Sequence, residues 1–263
     1  MIEPLPRLVG MVHLLPLPGS PRFRGSMEEI LDTAAEDSRV LVDAGFPALM
    51  VENFGDVPFF ADRVPPETTA AMSVAVAEVM RAGVPIGVNV LRNDALTALG
   101  IAAATGARFI RVNVLTGVMY TDQGPMVGRA PEVQRQRMAL TPDVEVWADV
   151  MVKHATPPSG IDARQAALDT VERGLADALI VSGSGTGEPA DVSMARAVKD
   201  AVPAGTRIVL GSGARVGALD PILEAVDTLI VGSHVKVGGD AGQRPDPLRA
   251  KAFIEHAAER GLV

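Results

Sequence analysis

Apolar residues crowd into eight short runs along the chain: LVGMVHL (8–14), ALMVEN (48–53), PIGVNVL (85–91), FIRVNVL (109–115), EVWADVMV (145–152), ALIVSG (178–183), RIVLGSG (207–213) and TLIVGSHV (228–235). Their length and β-rich content predict buried strands. The segments between them carry apolar positions at helical spacing. In the first, Met27, Ile30, Leu31, Ala34, Leu41 and Val42 fall on one broad stripe, with Glu28, Glu29 and Asp32 largely outside it. Ser26 with Glu29 three residues on predicts a capping box, and glycines at 45, 83, 106 and 174 predict helix ends. Eight strand–helix units are the count of a (β/α)8 TIM barrel. The rival is a doubly wound open sheet, but the first strand is followed by prolines rather than a G-x-G-x-x-G turn. No linker, low-complexity tract or charge run interrupts the alternation, so residues 1–263 are read as a single barrel domain.

Strand alternation then assigns faces. It turns Glu52, Asn89, Arg111, Asn113 and Asp149 inward, with Lys153 just beyond; Val112, Val114, Val146, Val150 and Val152 turn towards the helices. Ser182 follows the sixth strand, and His154 follows Lys153. All the inward polar residues come late in their strands, at the end where this fold builds active sites. His13 stands at the same end of the first strand, before the proline-rich PLPGSP. Taken alone it fits a packed core histidine as well as a site residue. An inward Arg111 needs an anion, which Glu52, Asp149 or a ligand can supply. A buried ion-pair network that only holds the barrel is the bland alternative. The clustering favours a polar site.

The seventh and eighth strands end in VLGSGAR and IVGSHVK. Small residues let an anion approach backbone N–H groups, and the loops after these two strands are the common phosphate site of the fold. Gly211, Ser212, Gly213, Gly232 and Ser233 are the candidate phosphate ligands, with a helix expected after Gly213. Lys236 is read either as a mobile charge beside the phosphate or as a solvated surface lysine. SGSGTGEP (182–189) adds a third flexible loop that is neither a Walker A nor a Rossmann sequence. The long connection 116–132, with its Thr121-Asp122-Gln123 centre, is read as a lid or substrate loop.

Composition narrows the function. Aromatics are only 3%, so the core is aliphatic, and the net charge of -8 argues against a general nucleic-acid binder. The chain has no cysteine, which excludes disulfides, thiolate nucleophiles and Cys-bound metals and fits a reducing cytoplasm. Neither a secretory signal nor a membrane-spanning run is evident. No cofactor is evident. A divalent metal at Glu52, Asp149 or His154 lacks the support of any H-x-H or H-E-x-x-H spacing. A homo-oligomer is compatible with the sequence.

The blocks GMVHLLPLPGSP, VEN, GVNVLRND, FIRVNVLTG, TDQG with GRA, ADVMVKHA, SGSGTGEP, GSG and VGSHVK resemble the BtpA/SgcQ family over nearly the whole chain. The chain departs from the family pattern at Pro158, at His234 and in GGDAGQRPDP. The resemblance implies a phosphate-binding TIM barrel without a settled reaction. It leaves two classes of function. One is a metabolic enzyme of lyase, isomerase or nucleosidase type acting on a small phosphorylated, sugar-like compound. In it His13, Glu52, Arg111, Asp149 and Lys153 are the catalytic candidates, and Asn89, Asn113, His154 and Ser182 bind substrate. The other is a non-catalytic assembly or stability factor, as for photosystem I in cyanobacterial relatives.

Overall fold

Side-chain alternation sorts the apolar residues into two populations. Leu49 and Val51 pack outward with Leu41, Ala75 and Val79 of the helices, while Ala48 and Met50 pack inward with Val9, Met11, Ile180 and Val209. The inner core contains no helix residue, only side chains of the strands and of the residues leading into them, so the sheet buries that face by closing on itself. The computed structural model describes residues 5–183 and 191–263. The strands are β1 (Leu8–His13), β2 (Leu49–Glu52), β3 (Ile86–Asn89), β4 (Phe109–Val112), β7 (Glu145–Asp149), β8 (Ala178–Val181), β9 (Arg207–Leu210) and β10 (Thr228–Val231). They close in the order β1-β2-β3-β4-β7-β8-β9-β10, all parallel, with β10 pairing back onto β1. Eight strands, interspersed with helices, form the expected (β/α)8 barrel.

The strands stop one to four residues before the apolar runs do. Past β4 and β7 the chain is still apolar because it is covered by an antiparallel hairpin, β5 (Val118–Thr121) with β6 (Gly124–Val127). Val114 and Val152, expected to face the helices, instead pack with Met119 and Met126 beneath it. The hairpin occupies the connection read as a lid. It is docked by paired hydrogen bonds between Tyr120 and Thr156, at 2.9 and 2.8 Å.

The barrel interior changes character along its axis. At the end where the strands begin, Phe109 stacks on Trp147 with ring centroids 4.3 Å apart. Trp147 Nε1 donates to Glu145 Oε2, which also takes Arg207, each at 2.7 Å. Gly87 makes room for this plug: a Cβ there would lie 2.2 Å from the Phe109 ring. At the opposite end the interior is polar.

The helices are α1 (Met27–Ala44), α2 (Pro66–Val79), α3 (Ala95–Thr105), α4 (Ala130–Leu140), α5 (Ala163–Leu168), α6 (Val192–Ala201), α7 (Leu219–Leu223) and α8 (Pro247–Ala258). Ser26 caps α1 through the Glu29 N–H, and the chain turns left-handed at Gly45 and Gly106 as expected. Gly174 differs: its φ is -82° and Leu175 takes the left-handed turn at 55°. Glycine is needed at 174 for another reason, since a Cβ would lie 2.7 Å from the Thr116 side chain. No long helix follows Gly213. A 3-10 turn (Val216–Ala218) and the five-residue α7 stand there, and a second 3-10 turn (Ser233–Val235) follows β10. Among the described residues, no helix is long and apolar enough to cross a membrane.

Candidate active site

Strand register brings the first cluster together. His13 is paired with Glu52, and Glu52 with Asn89, on three neighbouring strands. All three side chains point inward. Asn89 Nδ2 donates to Glu52 Oε2 at 2.5 Å, and Glu52 Oε1 lies 3.9 Å from His13 Nε2. Phe54 stacks on the imidazole at 4.3 Å. On its other side His13 Nδ1 is 2.9 Å from Lys236 Nζ. The sequence suggested a mobile or a solvated Lys236; instead it is buried, only 1% exposed. The 3-10 turn after β10 swings it under the cavity, against His13 and the Ala241 carbonyl. Burial, with the charge of Lys236, holds the His13 pKa down to about 3. Burial brings Lys236 down to about 8.

The second cluster comes from β4 and β7. Arg111 donates twice to Asp149, Nε to Oδ2 at 2.9 Å and Nη2 to Oδ1 at 2.7 Å. Asn113 Nδ2 adds a third bond to Asp149 at 2.9 Å. Burial opposes the Arg111 charge, but Asp149 outweighs it and the guanidinium pKa is raised. A bidentate pair of this kind fixes the plane of the guanidinium. Gly211 leaves room for it, since a Cβ at 211 would sit 3.1 Å from Arg111 Nη2 and 2.9 Å from Ser182 Oγ.

Lys153 follows β7. The residues on either side of its turn, Met151 and His154, adopt left-handed φ of 53° and 59°. Each such non-glycine residue costs about 1–2 kcal/mol. The bend turns Lys153 towards the barrel axis, where burial and then Arg111 lower its pKa to about 8.

These parts surround one cavity of about 540 Å³ at the C-terminal mouth of the barrel. His13, Glu52, Arg111, Asn113, Lys153 and His154 line it, together with Gly211, Ser212, Gly213, Gly232 and Ser233. Asn89, Asp149 and Ser182 do not. They were expected to reach the cavity, but they sit in the layer behind it because Glu52, Arg111 and Gly211 stand in front of them. Asp149 is fully engaged by Arg111 and Asn113 and so orients rather than faces a ligand. Asn113 Oδ1 and Ser182 Oγ are buried and have no hydrogen-bond partner among the described residues. Most of the 182–189 loop lies outside the described residues. Among the described residues, no group of three or more His, Asp and Glu side chains could hold a metal ion.

Sequence reasoning misplaced Lys236 and missed the wall formed by Phe54, Val57, Phe59, Leu91 and Arg92. A signal for the wall existed: three of the seven phenylalanines fall within positions 54–60. Loop contacts hold this wall in place. Asp56 accepts from Leu17 N in the proline-rich turn at 2.8 Å and from Asn53 Nδ2 at 3.0 Å, and Asn53 Oδ1 takes Leu91 N at 2.8 Å. The abrupt stop after β1 thus anchors the neighbouring loop. Asn93 clips the next pair of loops through both Val114 N and Val114 O.

A model of the family described as BtpA matches residues 6–259. The chain belongs to the BtpA family. It is 44% identical over 253 residues to the photosystem I biogenesis protein BtpA of Synechocystis sp., covering 96% of this chain and 88% of that one. It is 30% identical over 252 residues to the sgc region protein SgcQ of Escherichia coli K12, covering 94% and 92%. Among solved structures, thiamine phosphate pyrophosphorylase from Pyrococcus furiosus superposes with a TM-score of 0.57 at 15% identity, covering 96% of this chain and 95% of that one. That likeness is one of fold, a TIM barrel.

Proposed function

We propose that this BtpA-family protein is an enzyme acting on a small phosphorylated, sugar-like carbonyl compound. One observation carries the reading. A single cavity joins the glycine–serine loops after β9 and β10 to an amine, a carboxyl group and a guanidinium held on other strands. The backbone and hydroxyl donors of Ser212, Gly213, Gly232 and Ser233 suit a phosphate, while the Gly211 N–H is taken by Val181 O. Arg111, fixed by Asp149, suits an oxygen that gathers negative charge. Lys153, with its pKa near 8, is partly uncharged at neutral pH and can act as a nucleophile. Its nitrogen adds to the carbonyl carbon. Both nitrogen protons pass in turn to the former carbonyl oxygen with Glu52 as the relay, that oxygen leaves as water, and an imine remains. Asn89 holds Glu52 in place, and Asn113 Oδ1 offers an acceptor to a substrate hydroxyl.

The test is reduction in place. The protein is incubated with ribose 5-phosphate, dihydroxyacetone phosphate or other carbonyl phosphates and treated with borohydride. Mass spectrometry should find an adduct on Lys153, absent from Lys153→Met. If no carbonyl phosphate gives an adduct there, the imine step is wrong. If none binds by calorimetry either, the enzyme reading falls. An assembly role then gains, and the one observation favouring it is the 44% identity to a photosystem I biogenesis protein.

A further inference from the structure

The cavity has a second end, away from the glycine–serine loops. In the ring of eight strands β3 stands opposite β9. The loop after β3 therefore faces the glycine–serine loop 211–213 across the mouth. What it presents, with the loop after β2, is apolar and flat: Leu91, Val57, Phe54 and Phe59. The chain has nine aromatic residues in all, and its core is otherwise built on aliphatic side chains. Two of the nine line this wall, and neither is fully buried. Phe54 has one face covered by His13. Phe59 has the Arg92 guanidinium 5.9 Å from its ring centroid. Arg92 pairs with Asp122 of the hairpin at 3.3 Å, and its Nε is buried without a hydrogen-bond partner among the described residues. A flat aromatic face, a planar cation, a spare N–H donor and a carboxylate acceptor are the components that hold a heteroaromatic ring by stacking and edge hydrogen bonds. The volume agrees: about 540 Å³ falls within the range of about 300–1,000 Å³ that encloses drug-sized ligands.

We infer that the ligand is two-ended, a phosphorylated compound that carries a flat heteroaromatic ring seated against Phe59 and Leu91 beside Arg92. This rests on the phosphate reading of the opposite loops and adds the chemistry of the other end. Phe59 and Arg92 then select the ligand, while Glu52, Arg111 and Lys153 lie between its two ends.

Titration calorimetry on the full chain tests it with four probes: ribose 5-phosphate, adenosine 5′-monophosphate, uridine 5′-monophosphate and 1-naphthyl phosphate. At least one ring-bearing probe should bind tenfold or more tightly than ribose 5-phosphate. Phe59→Ala should remove most of that advantage and leave ribose 5-phosphate within about twofold. Phe59→Tyr should keep it. Ser233→Asp should weaken every probe. Fluorescence of the buried Trp147 reports that each variant is folded, and Phe59→Leu replaces the alanine variant if that one is not. The inference is overturned if ribose 5-phosphate binds as tightly as every ring-bearing probe, or if Phe59→Ala weakens all four alike; the phosphate reading survives both results. If no probe binds at millimolar concentration, the phosphate reading fails and this inference fails with it.

Discussion

Lys236 Nζ stands 2.9 Å from His13 Nδ1, and both atoms lie 2.9 Å from the carbonyl oxygen of Ala241. An ammonium group has only donors, so a close contact with Nδ1 requires the lone pair there. The ring proton then sits on Nε2, the nitrogen that faces Glu52 at 3.9 Å. In this arrangement Lys236 donates to both Nδ1 and Ala241 O. A buried lysine sets the tautomer of a buried histidine and aims its one N–H at the cavity carboxyl group.

The first prediction follows directly. Long-range 15N NMR on the chain's four histidines should show His13 as a neutral ring protonated on Nε2 down to about pH 4, since its pKa is held near 3. In Lys236→Met the competing donor is gone. Nδ1–H should then donate to Ala241 O, and the His13 pKa should rise. An Nδ1-protonated ring in the wild type would contradict the assignment.

The same depressed pKa has a stability consequence. Above pH 6.5 His13 is neutral in both the folded and unfolded chain. Between 6.5 and about 3 the unfolded chain takes up a proton that the folded one refuses. Stability is therefore complete above pH 6.5 and is lost as pH falls, by roughly 1.4 kcal/mol per pH unit from this group. Urea unfolding from pH 7 to 4 should show the wild type losing ground relative to His13→Gln. Parallel curves would show that His13 titrates normally in the folded state.

The barrel was legible because its signal is repeated. Eight apolar runs separated by helical stripes leave few other closures, and strand parity placed Glu52, Arg111 and Asn113 on the inner face. The parity argument fails where the strands end. Val114 and Val152 continue the pattern but turn under a hairpin, and Asn89 and Asp149 have the right face yet sit behind larger neighbours. Lys236 was illegible for a related reason. Its orientation is set by a 3-10 turn after β10, and periodicity carries no information about a single turn. Met151 and His154 likewise bend left-handed without the glycine or asparagine that would have announced it.

Amine reactivity provides a third check. The chain has four lysines, and Lys153 and Lys236 have pKa values near 8. Lys236 is shielded at 1% exposure. Brief acetylation across pH 7–10, read by mass spectrometry, should label Lys153 with a midpoint near 8, well before Lys199 and Lys251. Labelling of Lys153 in step with Lys251 would show an ordinary, solvated amine.

Asp149→Asn is expected to be costly. It keeps the size of the side chain but leaves the Arg111 guanidinium buried without a counter-charge, because Asp149 is its only hydrogen-bonded anion among the described residues. Breaking a buried pair from one side typically costs about 3–5 kcal/mol. The double variant Arg111→Met with Asp149→Leu should recover most of that loss. Urea midpoints measure both. A loss below about 1 kcal/mol in the single variant would mean that water reaches the pair.

Two glycines separate the demands of the fold from those of the site. Gly87 and Gly211 both point into the barrel, one at each end. A Cβ at 87 would lie 2.2 Å from the Phe109 ring, in the aromatic plug. At 211 it would lie 2.4 Å from Ile180 Cγ2, 2.9 Å from Ser182 Oγ and 3.1 Å from Arg111 Nη2. Overpacking of this kind costs about 1–3 kcal/mol, so both alanine variants should lower the urea midpoint. Their effects on ligands should differ. Gly87→Ala pushes on rings remote from the cavity and should leave the affinity for a phosphorylated ligand unchanged in the folded protein. Gly211→Ala displaces the guanidinium and the 211–213 loop together, and affinity should fall tenfold or more. If the two folded variants bind equally well by calorimetry, the Gly211 loop is not part of the binding site.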